Sequence, residues 1–178
     1  IEQLKKIGFK KITLVIRNKS ILKSITKTKI ELIKGGKSRT LSVKNALLKS
    51  KIKAKYVFIH DAARILNSEK LLKKLIKETK KDIYDCIIPF SKCADTVIKN
   101  HINIKREDLK LIKTPQVFLK KKIVQLHTIN KNYQLTDDSI LMRDNPKDYK
   151  NFTFFKIDCR DWFSKNFNEK FDYVFHLA

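Results

Sequence analysis

Glycine is nearly missing from this chain. Three residues in 178, Gly8, Gly35 and Gly36, cannot supply the Gly-x-x-Gly-x-x-Gly loop of a dinucleotide-binding dehydrogenase, and the scarcity makes the adjacent pair Gly35-Gly36 informative. Cysteine is equally sparse. Cys86, Cys93 and Cys159 have neither an even count nor the spacing of metal ligands, which argues against a disulfide framework or a zinc site and fits a reducing cytoplasm. No apolar stretch approaches the roughly 20 residues of a membrane span, and no signal peptide is visible, so no membrane association is expected. Internal repeats and low-complexity linkers are also missing. A chain of 178 residues holds one domain with a proper core and is too short for two of ordinary size.

Acidic residues are outnumbered: 41 Lys and Arg face 18 Asp and Glu, a formal net charge of +23. Such an excess ordinarily points to nucleic acid, because clustered cations neutralise phosphates and release counterions. Distribution argues otherwise. Only six of the basic residues are arginine, and the lysines are spread over nearly every segment instead of being gathered on one element. Solvated helix faces account for that spread, and the same field suits a small phosphorylated substrate.

Short runs rich in Ile, Val and Phe alternate with lysine-studded amphipathic stretches, the pattern of a parallel α/β sheet flanked by helices. Strands are predicted at residues 11–16, 29–33, 55–60 and 84–89. Helices are predicted over 38–50 and 68–80, the second with Ser68 as N-cap and Leu71, Leu72, Leu75 and Ile76 as its apolar stripe. Residues 2–8 read as the last turns of a helix ending in Gly8. The chain opens on Ile1 in mid-pattern and stops within the apolar run 173–178, so both termini read as cuts. From 94 to 113 the pattern shortens, with Thr96, Val97 and Ile98 followed by Ile102 and Ile104, which predicts a β-arm; a helix near 119–128 and a less regular tail follow.

Two segments carry candidate chemistry. Ile33-Lys34-Gly35-Gly36-Lys37-Ser38-Arg39-Thr40-Leu41-Ser42-Val43 lies between a strand and a helix, at the carboxyl edge where parallel sheets bind ligands. Paired glycines let the backbone approach a base or ribose, and Ser38 and Ser42 offer hydroxyls near a positive helix N-terminus; a tight turn with a serine cap explains the same residues. The next strand delivers His60-Asp61-Ala62-Ala63-Arg64 at its carboxyl end. Asp61 there suits Mg²⁺ or a ribose hydroxyl, and Arg64 a phosphate; an Asp61–Arg64 ion pair or a helix cap is the plainer alternative.

Taken together, Gly35-Gly36-x-x-Arg39-x-x-Ser42-Val43, His60-Asp61-Ala62-Ala63-Arg64, Asp95-Thr96, Arg106, Thr114-Pro115-Gln116-x-Phe118 and Thr136-Asp137-Asp138 resemble the 2-C-methyl-D-erythritol 4-phosphate cytidylyltransferases and the similar ribitol-5-phosphate cytidylyltransferases, over about residues 1–143. The resemblance implies a mostly parallel, Rossmann-like nucleotidyltransferase sheet with a protruding β-arm. It further implies CTP and a small polyol phosphate as substrates, Mg²⁺ as cofactor, and a homodimer formed through the arm. Carried over by position, Gly35, Gly36, Arg39, Ser42 and Asp61 serve the nucleotide, with Asp61 also holding the metal. Thr96, Arg106 and Thr114 serve the polyol phosphate, and Asp61, Arg64 and Lys156 are the catalytic candidates. The family's opening glycine-rich loop, with its Arg and Lys, has no match here, so the chain by itself is expected to be inactive.

Residues 1–150 are thus expected to form the cytidylyltransferase domain. Residues 151–178 are read either as its degenerate end, with Lys156 standing for a phosphate-binding lysine, or as the start of a fused dehydrogenase-like segment. Ile65 and Lys113 replace the family's usual Pro and Gln. Outside this enzyme class, the alternatives are a non-catalytic nucleotide-binding module and a basic RNA-binding protein.

Overall fold

A computed structural model of the chain describes residues 1–17, 30–51, 53–61 and 68–144, together with the backbone of 152–156 and 171–177. Helix α1 (Glu2–Lys6) ends at Gly8, whose φ of 105° suits a residue without a Cβ, and the chain turns there into β1 (Phe9–Ile16). Strand β2 (Glu31–Lys34) leads into α2 (Arg39–Lys49), and β3 (Tyr56–Asp61) precedes α3 (Glu69–Lys80) and β4 (Cys86–Lys92). Ser38 and Ser68 start α2 and α3 as N-caps, accepting from the amides of Leu41 and Leu71. Next come the short strands β5 (Val97–Lys99), β6 (Ile102–Ile104) and β7 (Lys110–Ile112). The chain continues through β8 (Gln116–Leu119), α4 (Lys120–Ile129), α5 (Ser139–Arg143), β9 (Phe152–Lys156) and β10 (Phe171–Leu177).

Eight strands make one sheet in the order β2-β1-β10-β3-β8-β4-β7, with β9 also on β4. Strands β2, β1, β10 and β3 run parallel, as do β4 and β9; β8 is antiparallel to both β3 and β4, and β7 is antiparallel to β4. The fold is the expected mostly parallel α/β sheet. Its central slot between β1 and β3 is filled by β10, the last strand in sequence, in the register His176 with His60 and Leu177 with Asp61.

Alternation along the strands builds the two cores. Val57 and Ile59, Cys86 and Ile88, and Phe118 face one side, where they pack with Val43, Ala46 and Leu47 of α2, Ile123 and Leu126 of α4, and Leu141 and Met142 of α5. Phe58, Ile87 and Val117 face the other, against Leu4 of α1 and Leu72, Leu75 and Ile76 of α3. A one-residue slip in any of these strands would exchange the two faces.

The arm is shorter than its pattern suggested. β5 and β6 form a two-stranded sheet of their own, but β7 returns to the main sheet, where Phe90 pairs with Ile112. There Ile112 packs against the core edge, while Leu111 stays exposed.

Candidate functional site

The carboxyl ends of β2 and β3 bring the candidate residues together. Past β2 the chain folds back at once: Gly35 N–H donates to the Ile16 carbonyl at 2.9 Å, and Gly36 N–H donates to Ser42 Oγ at 3.0 Å. Ser42 Oγ in turn donates to the Ser38 carbonyl at 2.9 Å, so its hydroxyl braces the loop against the first turn of α2. A Cβ on Gly36 would stand 2.4 Å from Leu41 Cβ, which leaves glycine as the residue that fits. Thr40 Oγ1 donates to the Leu135 carbonyl at 3.2 Å and ties α2 to the segment before α5.

Arg39, the first residue of α2, faces the end of β3. Its Nε donates to Asp61 Oδ1 at 3.2 Å and its Nη1 to Asp138 Oδ2 at 2.7 Å. Asp138 is fully buried and accepts at Oδ1 from His127 Nε2 at 3.0 Å, while Arg39 and Asp61 keep about a quarter of their side chains open, at 27% and 28%. Burial alone would lower the Arg39 pKa, but the charges of Asp138 and then Asp61 outweigh it and raise it. For Asp138, burial pushes the carboxyl up, yet the His127 hydrogen bond and the Arg39 charge hold it below the usual carboxylate range. Arg39 and Asp138 are therefore an ionised pair, with Asp61 at its solvent side.

Thr114 lies beneath. Its Oγ1 accepts from the Asp61 amide at 3.4 Å and sits 3.0 Å from His60 Nδ1, so this nearly buried hydroxyl locks the end of β3. His60 hydrogen-bonds locally, as a strand-end histidine is expected to do. Above these residues opens a cavity of about 270 Å³, walled by Arg39, Asp61, Thr114, Thr136, Asp137 and Arg143.

Other candidates stand apart. Thr96 and Arg106 are on the exposed arm and do not line this cavity; Arg106 Nη1 donates to the Ala94 carbonyl at 3.1 Å. Lys156 is the last residue of β9, paired in register with Phe90, which puts its backbone at the same carboxyl edge. Arg64 lies outside the described residues. The Asp61–Arg64 pair therefore also lies outside the described residues; a described partner of Asp61 is Arg39, 22 positions earlier. Asp138 and His127 were missed as site residues, although Asp138 belongs to the Thr-Asp-Asp motif that carried part of the resemblance.

A mostly parallel sheet, with a glycine turn, a helix N-terminus and a carboxylate meeting at its carboxyl edge, is the architecture of a Rossmann-like nucleotidyltransferase. Residues 3–147 match the family IspD, 2-C-methyl-D-erythritol 4-phosphate cytidylyltransferase, and the chain belongs to that family. It is 45% identical over 140 residues to the bifunctional enzyme IspD/IspF of Pelagibacter ubique, covering 75% of this chain and 37% of that protein. The corresponding enzyme of Campylobacter jejuni strain 81-176 is 39% identical over 131 residues, covering 74% and 33%. The chain thus spans about a third of the length of these curated relatives. Among solved structures, the bifunctional IspDF of Campylobacter jejuni superposes with a TM-score of 0.73 at 32% identity, over 88% of this chain and 40% of that one. The 4-diphosphocytidyl-2C-methyl-D-erythritol synthase of Anaerococcus prevotii gives 0.73 at 26% identity, over 88% and 73%.

Proposed function

We propose that the protein transfers CMP from CTP to 2-C-methyl-D-erythritol 4-phosphate, a step of isoprenoid precursor synthesis. The observation that carries this reading is the junction of Gly35-Gly36, Arg39 and Asp61 at one sheet edge, in a chain of the cytidylyltransferase family. A phosphate oxygen of the polyol attacks the α-phosphorus of CTP in line; the new P–O bond forms as the α–β anhydride bond breaks, and pyrophosphate leaves. No covalent enzyme intermediate is needed. The backbone of Gly35 and Gly36 approaches the pyrimidine, because no side chain stands in the way. Arg39 orients Asp61 toward the ribose, and Arg64 and Lys156 are assigned to the charge that grows on the phosphates.

Mg²⁺ fits this site in its substrate-borne mode. The ion commonly binds through one or two carboxylates plus substrate phosphates, and Asp61 offers a partly open carboxylate on the cavity wall. Among the described residues no group of three or more His, Cys, Asp or Glu could hold a metal unaided, which matches an ion that arrives with the triphosphate. When bound, the ion supplies charge to offset the leaving pyrophosphate.

The polyol phosphate half of the site is assigned to a homodimer. Thr96 and Arg106 are exposed, and Ile98 and Ile102 on the same arm are 63% and 66% exposed, a surface that a second copy would cover. The buried free thiols of Cys86 and Cys93 suit a cytoplasmic enzyme, and no described helix is long and apolar enough to cross a membrane.

The test is pyrophosphate release by the protein as its gene encodes it. Turnover is expected with CTP and methylerythritol phosphate and to be weak with UTP or ATP, since a site that hydrogen-bonds the cytosine edge leaves buried groups unpaired with the wrong base. Equal rates with all three nucleotides would remove the cytidylyltransferase assignment. Faster turnover with ribitol 5-phosphate would move the substrate to that polyol.

A further inference from the structure

The cavity wall is set by a residue pair that never reaches the cavity. Asp138 and His127 are both fully buried, on the turn before α5 and on α4, and they meet at 3.0 Å behind Arg39. His127 uses one nitrogen for Asp138, and its Nδ1 has no hydrogen-bond partner among the described residues. That is an uncommon arrangement, because a buried ring nitrogen without a partner forfeits the hydrogen bond it had in water. A histidine serving packing alone would be replaced at no loss by an apolar side chain.

The geometry of Arg39 supplies the reason. Its guanidinium bridges two carboxylates, with the shorter contact on the buried side: 2.7 Å to Asp138 against 3.2 Å to Asp61. Without Asp138, the next anion within reach is Asp61, and a planar guanidinium matches a carboxylate bidentately. Arg39 would then swing toward the cavity and cover the carboxylate that nucleotide and cation require. Asp138 anchors Arg39 from behind, and His127 in turn fixes the rotamer of Asp138.

We infer that Asp138 and His127 are positioning residues for CMP transfer, which hold Arg39 toward the buried side so that the Asp61 carboxylate keeps its face to the cavity that takes CTP. This rests on the cytidylyltransferase reading and adds to it two residues that touch neither substrate.

The experiment compares steady-state kinetics of the wild-type full-length protein with His127→Leu, His127→Gln and Asp138→Asn, each checked for native thermal unfolding. Leu fills the space without a donor; Gln keeps an N–H near the position of Nε2. Asp138→Asn and His127→Leu are each expected to lower kcat/KM for CTP by about tenfold or more, the cost of one lost charge-assisted hydrogen bond, with KM for the polyol phosphate unchanged. His127→Gln should recover most of the loss. If folded His127→Leu and Asp138→Asn keep wild-type kinetics, or if Leu and Gln fall equally, the positioning role is overturned while the enzyme assignment stands. A wild-type protein without CTP turnover would instead remove both.

Discussion

The two halves of the proposed site are built by opposite means. Around Asp61 the chain supplies its own support: the Gly36 amide is braced by Ser42, Arg39 is clamped between two carboxylates, and Asp138 and His127 have no solvent exposure. Around Thr96 and Arg106 it supplies almost none. The β5–β6 pair is three residues long on each side and exposes Ile98 and Ile102, and a two-stranded ribbon of that size is marginal alone. Residues assigned to the nucleotide are thus positioned by the core of one chain, while those assigned to the polyol phosphate lie on a surface left open for a partner. Mutations in the buried part of the first region should cost folding and catalysis together, those at its open face catalysis alone, and mutations in the second region only substrate binding.

The largest expected effect lies in the buried network. Asp138→Ala strands Arg39 and His127 and should destabilise the protein by about 3–5 kcal/mol, read from urea unfolding. Its pH dependence follows in sign. Because the folded pKa of Asp138 lies below the unfolded one, near 3.9, its contribution is fully present above that value and is lost as pH falls through the lower folded pKa. Asp138→Asn should flatten the acid limb of the stability curve below about pH 4, and an unchanged limb would assign the acid sensitivity elsewhere.

Asp61→Ala comes next. With its side chain partly open, the residue should be dispensable for folding, yet turnover should drop by about 10²–10³-fold, the range for losing one preorganised electrostatic group. On the arm, Arg106→Ala should raise KM for the polyol phosphate by an amount worth about 1.5–3 kcal/mol, leave KM for CTP nearly unchanged, and shift stability by no more than about 0.5 kcal/mol. A comparable loss for both substrates would erase the division between the two regions. Gly36→Ala should cost about 1–3 kcal/mol of stability by overpacking against Leu41, with weaker CTP binding.

Much of the fold was legible because its signals are local. Ser38 and Ser68 cap the helices they were expected to start, and the alternation of Val57, Phe58 and Ile59 is readable in three residues. The insertion of β10 between β1 and β3 was not, since an apolar run carries no address for its slot in a sheet. Nor was the return of β7, whose pattern matches the arm it follows. In the site, the motifs grouped Gly35, Gly36, Arg39, Ser42 and Asp61, but they could not show that Thr114, assigned with the arm residues to the polyol phosphate, bonds the Asp61 amide, or that Arg39 reaches across 99 positions to Asp138. His127 gave no signal at all: a histidine on an apolar helix face looks the same whether it packs or holds a carboxylate.

The most direct test of the central claim follows the α-phosphorus itself. With CTP labelled at that atom, methylerythritol phosphate and Mg²⁺, the full-length protein should move the label into a cytidine diphosphate ester of the polyol, one equivalent for each pyrophosphate released. Label that stays in CTP with either polyol phosphate, in a protein that binds RNA with a steep salt dependence, would contradict the account and leave the +23 charge as the property to explain.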